Sequence, residues 1–239
     1  MPSQNVKPGQ LYLFQTALQV LLALVMIAAL AFAAVADTEE EEQEIASGAD
    51  ASNPTAAVNY QDMRYRYFDI DPDAEKMSFD TEGAYMLHPR FKVTNELRLV
   101  YTDQTGSWST DLEVLKLKGL FLTYGQPFGI KAKYALGLEW IKDLGDNKKG
   151  IGSGADQIAP LAGIAIGVRP GTMLIPLVQH FASYSGENVS QTAFRVIGLQ
   201  TLPDKAWGKM DLKLPYDWEN DTVPASLELQ LGKNFTPSV

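Results

Sequence analysis

Nucleophilic chemistry is the first possibility to consider, because one of the two histidines has serines and an acid close by in the sequence. Ser183, Ser185 and Glu187 follow His180, and a Ser/His/acid set requires the base within hydrogen-bond reach of the nucleophile. Residues three apart on a β-strand face opposite sides, which separates Ser183 from His180. Ser185 reaches His180 only if the following loop folds back. We therefore predict that the protein is not an enzyme, with a hydrolase using His180 as a low-ranked alternative.

Metal and cofactor sites are not predicted either. Asp69, Asp71 and Asp73 alternate with other residues but lack the rest of a calcium-binding loop. Gly152-Ser-Gly154 lies in a polar stretch without a following helix, so it is no nucleotide-binding fingerprint. The chain has no cysteine, which excludes thiolate metal sites, and its formal net charge of −9 argues against a nucleic-acid partner.

Charged and apolar side chains alternate along residues 128–141, and this pattern indicates which element carries the polar groups. One face is apolar from Phe128 to Trp140, whereas the other holds small residues together with Lys131, Lys133 and Glu139. A period of two is typical of a β-strand, since successive side chains leave a strand on opposite sides. An apolar outer face opposite a small or charged inner face is typical of a strand in a membrane-spanning β-barrel.

The same alternation recurs in ten segments, so we predict an all-β fold. The segments are 59–70, 82–93, 96–103, 110–124, 128–141, 157–168, 172–184, 191–202, 208–218 and 225–235. In the seventh segment Met173, Ile175, Leu177 and Phe181 are predicted to face outward, and Thr172, His180 and Tyr184 inward. The eighth segment is apolar on both faces, so its orientation stays open.

Longer connections are expected to alternate with shorter ones, as in a barrel with short periplasmic turns and longer outer loops. The longer predicted loops are 71–81, 104–109, 142–156, 185–190 and 219–224; the shorter turns are 94–95, 125–127, 169–171 and 203–207. The turns contain Pro, Gly, Asn or Asp, the residues that favour reversals of the chain. Because ten is even, the carboxyl end returns to the side on which the first strand begins.

The inner face is predicted to be basic on balance and the outer face to carry aromatic girdles. Candidate lumen residues are Arg64, Arg66, His88, Arg90, Lys92, Arg98, Lys131, Lys133, Glu139, His180, Lys209 and Lys213. Candidate girdle residues are Tyr65, Tyr67, Tyr85, Tyr101, Phe128, Trp140, Tyr216 and Trp218. A basic lining favours anions where a path exists. In a narrow barrel the same side chains can instead pair with acids and fill the lumen.

Two segments precede the barrel. Residues 1–36 are predicted to be a signal peptide, because an apolar run follows an amino-terminal region that is longer and less basic than usual and ends in the cleavage-like Ala34-Val35-Ala36. A retained anchor is the alternative, since the run is about long enough to span a bilayer. Residues 37–58 carry many Glu with Ala, Ser and Gly, so we predict a disordered acidic tether in the periplasm. The barrel domain is then 59–239.

Taken over residues 59–235, this pattern resembles the small outer-membrane β-barrel proteins of Gram-negative bacteria, which include porin-like proteins. The resemblance implies a transmembrane, antiparallel, up-and-down barrel of about ten strands that contacts outer-membrane lipid and the barrel-assembly machinery. Members of that group usually end on an aromatic residue in the last strand. Here Phe235 is followed by residues 236–239, so either Phe235 is a near-terminal version of that signal or two strands are missing from a barrel of twelve.

The favoured function is a small porin-like or transporter-like channel for small solutes. The first alternative is a non-conducting structural or adhesive barrel that acts through its outer loops, chiefly 71–81 and 142–156. A soluble, exported lipocalin-like β-barrel is the other alternative. It would place the apolar faces inside and the lysine-rich faces outside, a choice that alternation by itself leaves open.

Overall fold

A computed structural model describes residues 55–71, 74–126, 132–204 and 206–233, all of them within the unit from Glu39 to Val239. The predicted signal peptide and the tether up to residue 54 lie outside the described residues. The described part of the chain is all-β apart from one turn of 3-10 helix at Asn147–Lys149. None of its helices is long and apolar enough to cross a membrane.

Ten antiparallel strands follow one another in a single curled, half-barrel sheet in which each strand pairs with its neighbours in sequence. This confirms the predicted all-β, up-and-down arrangement of ten strands. The strands are β1 Tyr60–Asp71, β2 Ala74–His88, β3 Phe91–Thr102, β4 Ser109–Gly125, β5 Ala132–Asp143, β6 Ala155–Arg169, β7 Thr172–Gly186, β8 Ser190–Thr201, β9 Ala206–Asp217 and β10 Ser226–Lys233.

The two faces of the sheet have opposite chemistry. The concave face carries the charged side chains, and several are almost fully buried, including Lys92 at 1% and Asp80 at 2% exposure. The convex face carries exposed large apolar side chains, including Leu138 at 52% and Leu229 at 72% exposure. Because side chains alternate along a strand, one register places most of the charged residues on one side and most of the exposed large apolar residues on the other.

The predicted first loop, 71–81, is wrong. β1 ends at Asp71 and β2 begins at Ala74, and these two residues are register partners. Residues 74–81 are part of β2, where Ser78 and Asp80 pair with Arg66 and Arg64 of β1. The alternation continues through this polar stretch, so its charges belong to the concave face of a strand and not to a loop.

The predicted turn at Thr94-Asn95 is also wrong, because both residues pair within β3 with Ala84 and Gly83. The chain instead reverses at Pro89-Arg90. Proline has no amide hydrogen and a fixed φ, so it is favoured in turns, although this sheet also holds prolines inside β6, β7 and β9.

The predicted orientation of the seventh segment is reversed. Met173 pairs with Gly167 of β6, and Ile175 and Leu177 follow it on the concave face. A register shift between Gly167 and Arg169 places an irregularity just before the turn. Such an irregularity offsets the pairing by one residue and moves a whole strand's side chains to the other face.

The two outer strands have free edges. Within the described residues, β1 pairs only with β2 and β10 pairs only with β9. The closed barrel predicted from the sequence is therefore present as a curled sheet with an open seam between β1 and β10.

Gly137 lies at the closest approach between β4 and β5. A Cβ atom there would lie 2.6 Å from Leu120 Cδ2 and 2.7 Å from the backbone oxygen of Gly119. Gly167 of β6, by contrast, has no atom within 4 Å of an added Cβ. We expect Gly137→Ala to lower the free energy of unfolding by about 1–3 kcal/mol through overpacking.

The measurement is urea unfolding of the purified protein, with Gly167→Ala as the matched control and an expected change of less than about 0.5 kcal/mol. Equal effects of the two substitutions would contradict the close approach of β4 and β5 at Gly137.

Candidate functional site

A cavity of about 900 Å³ lies along the concave face and is bordered by residues from all ten strands. Its basic lining side chains are Arg64, Arg66, Lys92, Lys116, Lys118, Arg195, Lys209 and Lys213, and its acidic ones are Asp62, Glu82, Glu96, Glu139, Asp211 and Glu228. Basic groups are therefore in the majority, and most of the charges have a partner of opposite sign nearby.

The strongest concentration of ion pairs spans β1 to β4 and is centred on Arg98. Its guanidinium group donates to Asp80 at 2.7 Å, to Glu96 at 2.8 Å and to Glu113 at 3.1 Å. Lys76 donates to the second oxygen of Glu113. One cation thus holds carboxylates from three neighbouring strands, and this fixes the register of β2, β3 and β4.

Asp80 lies between two arginines. Oδ1 accepts a hydrogen bond from Arg98, while Oδ2 lies 3.1 Å from Arg66 Nε. Oδ2 has no aligned hydrogen-bond donor within the described residues, so the Arg66 contact acts as an ion pair without the direction of a hydrogen bond. A buried carboxylate requires such cations, because an unpaired charge in a poorly hydrated site is costly.

Glu139 forms the centre of a second group, on β4, β5 and β7. Lys118 Nζ lies 3.1 Å from Glu139 Oε1, and Gln179 Nε2 donates to Glu139 Oε2 at 2.5 Å. A third group on β8 and β9 joins Arg195 to Asp211 through two parallel hydrogen bonds. Such two-point pairing fixes the orientation of the guanidinium plane as well as its position.

The end of the cavity near the Pro89-Arg90 turn is bordered by Lys92 and by the segment that precedes β1. Lys92 Nζ donates to the backbone oxygen of Ala56 at 3.0 Å and lies 5.7 Å from the centroid of the Tyr60 ring. Thr55 and Ala56 are both buried. The chain that enters β1 therefore covers part of this end of the cavity.

The predicted lumen residues fall into four groups. Arg64, Arg66, Lys92, Arg98, Lys133, Glu139, Lys209 and Lys213 belong to strand positions on the concave face. His88 and Arg90 are exposed at the turn after β2, where the Arg90 amide donates to His88 Nδ1. Lys131 lies outside the described residues. His180 is on the convex face.

His180 lies outside the cavity because β7 faces opposite to the predicted orientation. Its Nδ1 is 2.9 Å from Thr192 Oγ1, which also accepts a hydrogen bond from Trp218 Nε1. Ser183 has a different hydrogen-bond partner, since its Oγ accepts a hydrogen bond from the amide of Val189. Ser183 and His180 therefore have different hydrogen-bond partners, in keeping with their placement on opposite faces of β7.

The predicted girdle residues that the structure describes lie on the convex face or at its margin, and Phe128 lies outside the described residues. Tyr65, Tyr67, Tyr85 and Tyr101 are exposed, whereas Trp140, Tyr216 and Trp218 are half-buried. Several pair with polar or aromatic neighbours: Trp140 Nε1 donates to the Tyr184 hydroxyl, and Tyr216 and Trp218 meet edge to face at 4.5 Å.

Sequence reasoning did not single out several central residues of the cavity, among them Asp80, Glu96, Glu113, Lys116, Lys118 and Arg195. Lys116 and Lys118 do alternate with Leu115 and Leu117, so their period of two was a usable signal. Glu113 was obscured by a register shift opposite Arg98 and Leu99, which interrupts the alternation in β4.

Neither a protein-family model nor a curated protein sequence matches this chain.

Asp80 provides a direct test of the ion-pair network. Replacing Asp80 with Asn removes the negative charge between Arg66 and Arg98 and leaves two partly exposed guanidinium groups close together. We expect the free energy of unfolding to fall by about 1–3 kcal/mol, because the acid is buried but solvent screens the two arginines.

Urea unfolding of the purified variant measures this loss. Asp204→Asn is the matched control, because Asp204 is exposed and has a positive φ of 57°, a conformation that Asn also tolerates. The network would not be a stability determinant if Asp80→Asn unfolded at the same urea concentration as Asp204→Asn.

Proposed function

We propose that this protein is an outer-membrane β-barrel whose convex face contacts lipid and whose concave cavity is a pathway for small solutes. The carrying observation is the distribution of burial: charged side chains are enclosed on the concave face, and large apolar side chains are exposed on the convex face. A membrane-spanning barrel has this distribution, because its surroundings are apolar and its interior is polar.

A soluble lipocalin-like barrel requires the opposite arrangement. Its apolar faces would be buried and its lysine-rich faces would meet water, since water favours exposed charge. Exposed apolar side chains on neighbouring strands, such as Met210, Leu227 and Leu229, instead form a continuous apolar surface. Surfaces of this kind mark contact with lipid or with another protein.

Closure of the sheet follows from the same proposal. Unpaired amide and carbonyl groups are not tolerated in the hydrocarbon region, so the edges of β1 and β10 must be paired there. In a ten-stranded up-and-down sheet β1 and β10 run in opposite directions. They can therefore pair directly, or through an even number of added strands, with antiparallel geometry throughout.

The choice between a conducting and a filled lumen depends on how the cavity is occupied. The β1–β4 side is closely packed with ion pairs, as a filled lumen requires. The concave face nevertheless retains open space, which Lys118, Arg195, Lys209 and Lys213 border together with residues of β1–β4. The basic majority of the lining supports a pathway that prefers anions.

A second candidate function, a barrel that acts through an outer loop, is favoured by the connection between β5 and β6. Asp143 accepts hydrogen bonds from the amides of Gly145 and Gly154, and Ile151 is fully buried. Lys149 donates to Asp111 at 2.8 Å, and this hydrogen bond raises the pKa of Lys149 above its usual value. An ordered loop can present a defined surface to a partner.

The lipid contact of the convex face is tested by Leu138→Lys. We expect this change to lower the stability of the protein in lipid bilayers by about 2–4 kcal/mol, the cost of a cation near the middle of the membrane. Leu144→Lys is the matched control, because Leu144 follows the end of β5 and belongs to a connection.

Unfolding of both variants is measured in lipid vesicles. The fraction of each variant that reaches outer membranes is measured separately, as a heat-modifiable band. A soluble β-barrel would tolerate a lysine at the exposed position 138, so a neutral effect there together with recovery in the soluble fraction would overturn the membrane proposal.

Conduction is tested in planar bilayers under a KCl gradient. We expect the wild-type protein to conduct with a preference for anions, and Lys213→Glu to move the reversal potential towards cation preference, because Lys213 borders the open side of the cavity. Lys148→Glu, an exposed loop substitution, should leave the reversal potential nearly unchanged. A folded protein with no conductance would favour the loop-acting alternative.

A further inference from the structure

The cavity wall formed by β6, β7 and β8 is apolar, unlike the rest of the concave face. Ala165, Ile175 and Ile197 form a buried cluster there, and Leu177 and Leu199 pack against it. A water-filled lumen does not need such a wall, since polar side chains line the interior of a conducting barrel. An apolar surface inside a solvent-accessible cavity instead favours contact with an apolar part of a ligand.

Cationic side chains lie directly beside this wall. Leu177 of β7 is the register partner of Arg195 of β8, and Arg195 is the register partner of Lys213 of β9. Lys213 Nζ also lies 5.6 Å from the centroid of the Phe181 ring. The backbone at Lys213 is therefore one strand spacing from β8 and two from β7, or about 5–10 Å from the apolar wall.

The two cations differ in how they are satisfied. Arg195 is held by Asp211 through two hydrogen bonds. Within the described residues, no carboxylate lies within ion-pair distance of Lys213; the nearest described contact of its ammonium group is the Phe181 ring. Lys213 thus has donors available to a ligand, while Arg195 mainly adds positive potential.

We propose that the cavity binds amphiphilic monoanions, meaning carboxylates with an aromatic or aliphatic body. The body would contact the half-buried Leu177 and Phe181, which the buried Ile175 and Ile197 adjoin, and the carboxylate would accept hydrogen bonds from Lys213. This inference rests on the proposed function in that the cavity must be open to solutes. It adds a substrate class, because a simple porin would pass small anions without regard to an apolar body.

The size of the cavity is consistent with this class. At about 900 Å³ it falls within the range of small-molecule sites, and both Lys213 and the apolar wall border it.

The test uses the full chain in lipid nanodiscs and fluorine NMR with para-(trifluoromethyl)benzoate as the probe. Two matched probes separate the contribution of the apolar body from that of the carboxylate. Para-(trifluoromethyl)benzyl alcohol retains the body without the charge, and trifluoroacetate retains the charge without the body. Empty nanodiscs give the contribution of lipid. We expect saturable binding of the benzoate and much weaker binding of both other probes.

Variants then assign the site. Lys213→Met should weaken benzoate binding about tenfold, the loss expected for one charge-assisted hydrogen bond, and leave the alcohol unchanged. Lys213→Arg should retain most of the affinity. Lys148→Met is the control for loss of a lysine outside the cavity.

The apolar wall is tested by Ile197→Thr, which places a hydroxyl on the concave face. Val196→Thr is the matched control, since Val196 is the preceding residue of β8 and faces the convex side. We expect weaker benzoate binding for Ile197→Thr alone. Both variants must show the folded, heat-modifiable band. If Ile197→Thr does not fold, the difference in benzoate affinity between Lys213→Arg and Lys213→Met tests the proposal.

The proposal is overturned if the benzoate binds no more tightly than trifluoroacetate or the alcohol, or if Lys213→Met leaves its affinity unchanged. That outcome in a protein recovered from outer membranes would leave the proposed function intact. Failure of the proposed function would appear separately, as a soluble protein that tolerates lysine at position 138.

Discussion

The arrangement of the whole sheet depends on pairing the charges that the concave face encloses. Asp80 is almost fully buried and lies between Arg66 of β1 and Arg98 of β3. A slip of one residue between these strands would turn the carboxylate to the convex face and leave both guanidinium groups without it. Because an unpaired buried charge is costly, the ion pairs select one register as well as one face.

The strands were predictable because enclosing the charges on one face of each strand requires a period of two in the sequence. Glu139 and Leu138, adjacent in β5, show it directly: one is enclosed on the concave face and the other is exposed. The errors lie where a second effect interrupts the period. β2 ends at His88, so the chain reverses at Pro89-Arg90 and not at Thr94-Asn95. Residues 74–81 were assigned to a loop, although Asp80 is almost fully buried in the sheet.

The candidate site was less predictable than the strands, for a reason visible in β7 and β8. Both strands are apolar on both faces, so alternation does not distinguish concave from convex. The register shift between Gly167 and Arg169 decides it, and no single residue type identifies such an irregularity in a sequence. Arg195 was missed for the same reason: its neighbours Phe194 and Val196 are apolar, as is Ile197, which shares its face.

The orientation of β7, which places its apolar residues on the concave face, also explains why the two parts of the cavity lining differ in chemistry. Many of the charged residues on β1–β4 pair with one another, although several of them also border the cavity. Apolar residues on β6–β8 have no such partners, and the cations of β8 and β9 adjoin them in register. A ligand gains most where the apolar wall and the available ammonium group of Lys213 meet, since only there can burial of an apolar body and a charge-assisted hydrogen bond occur together.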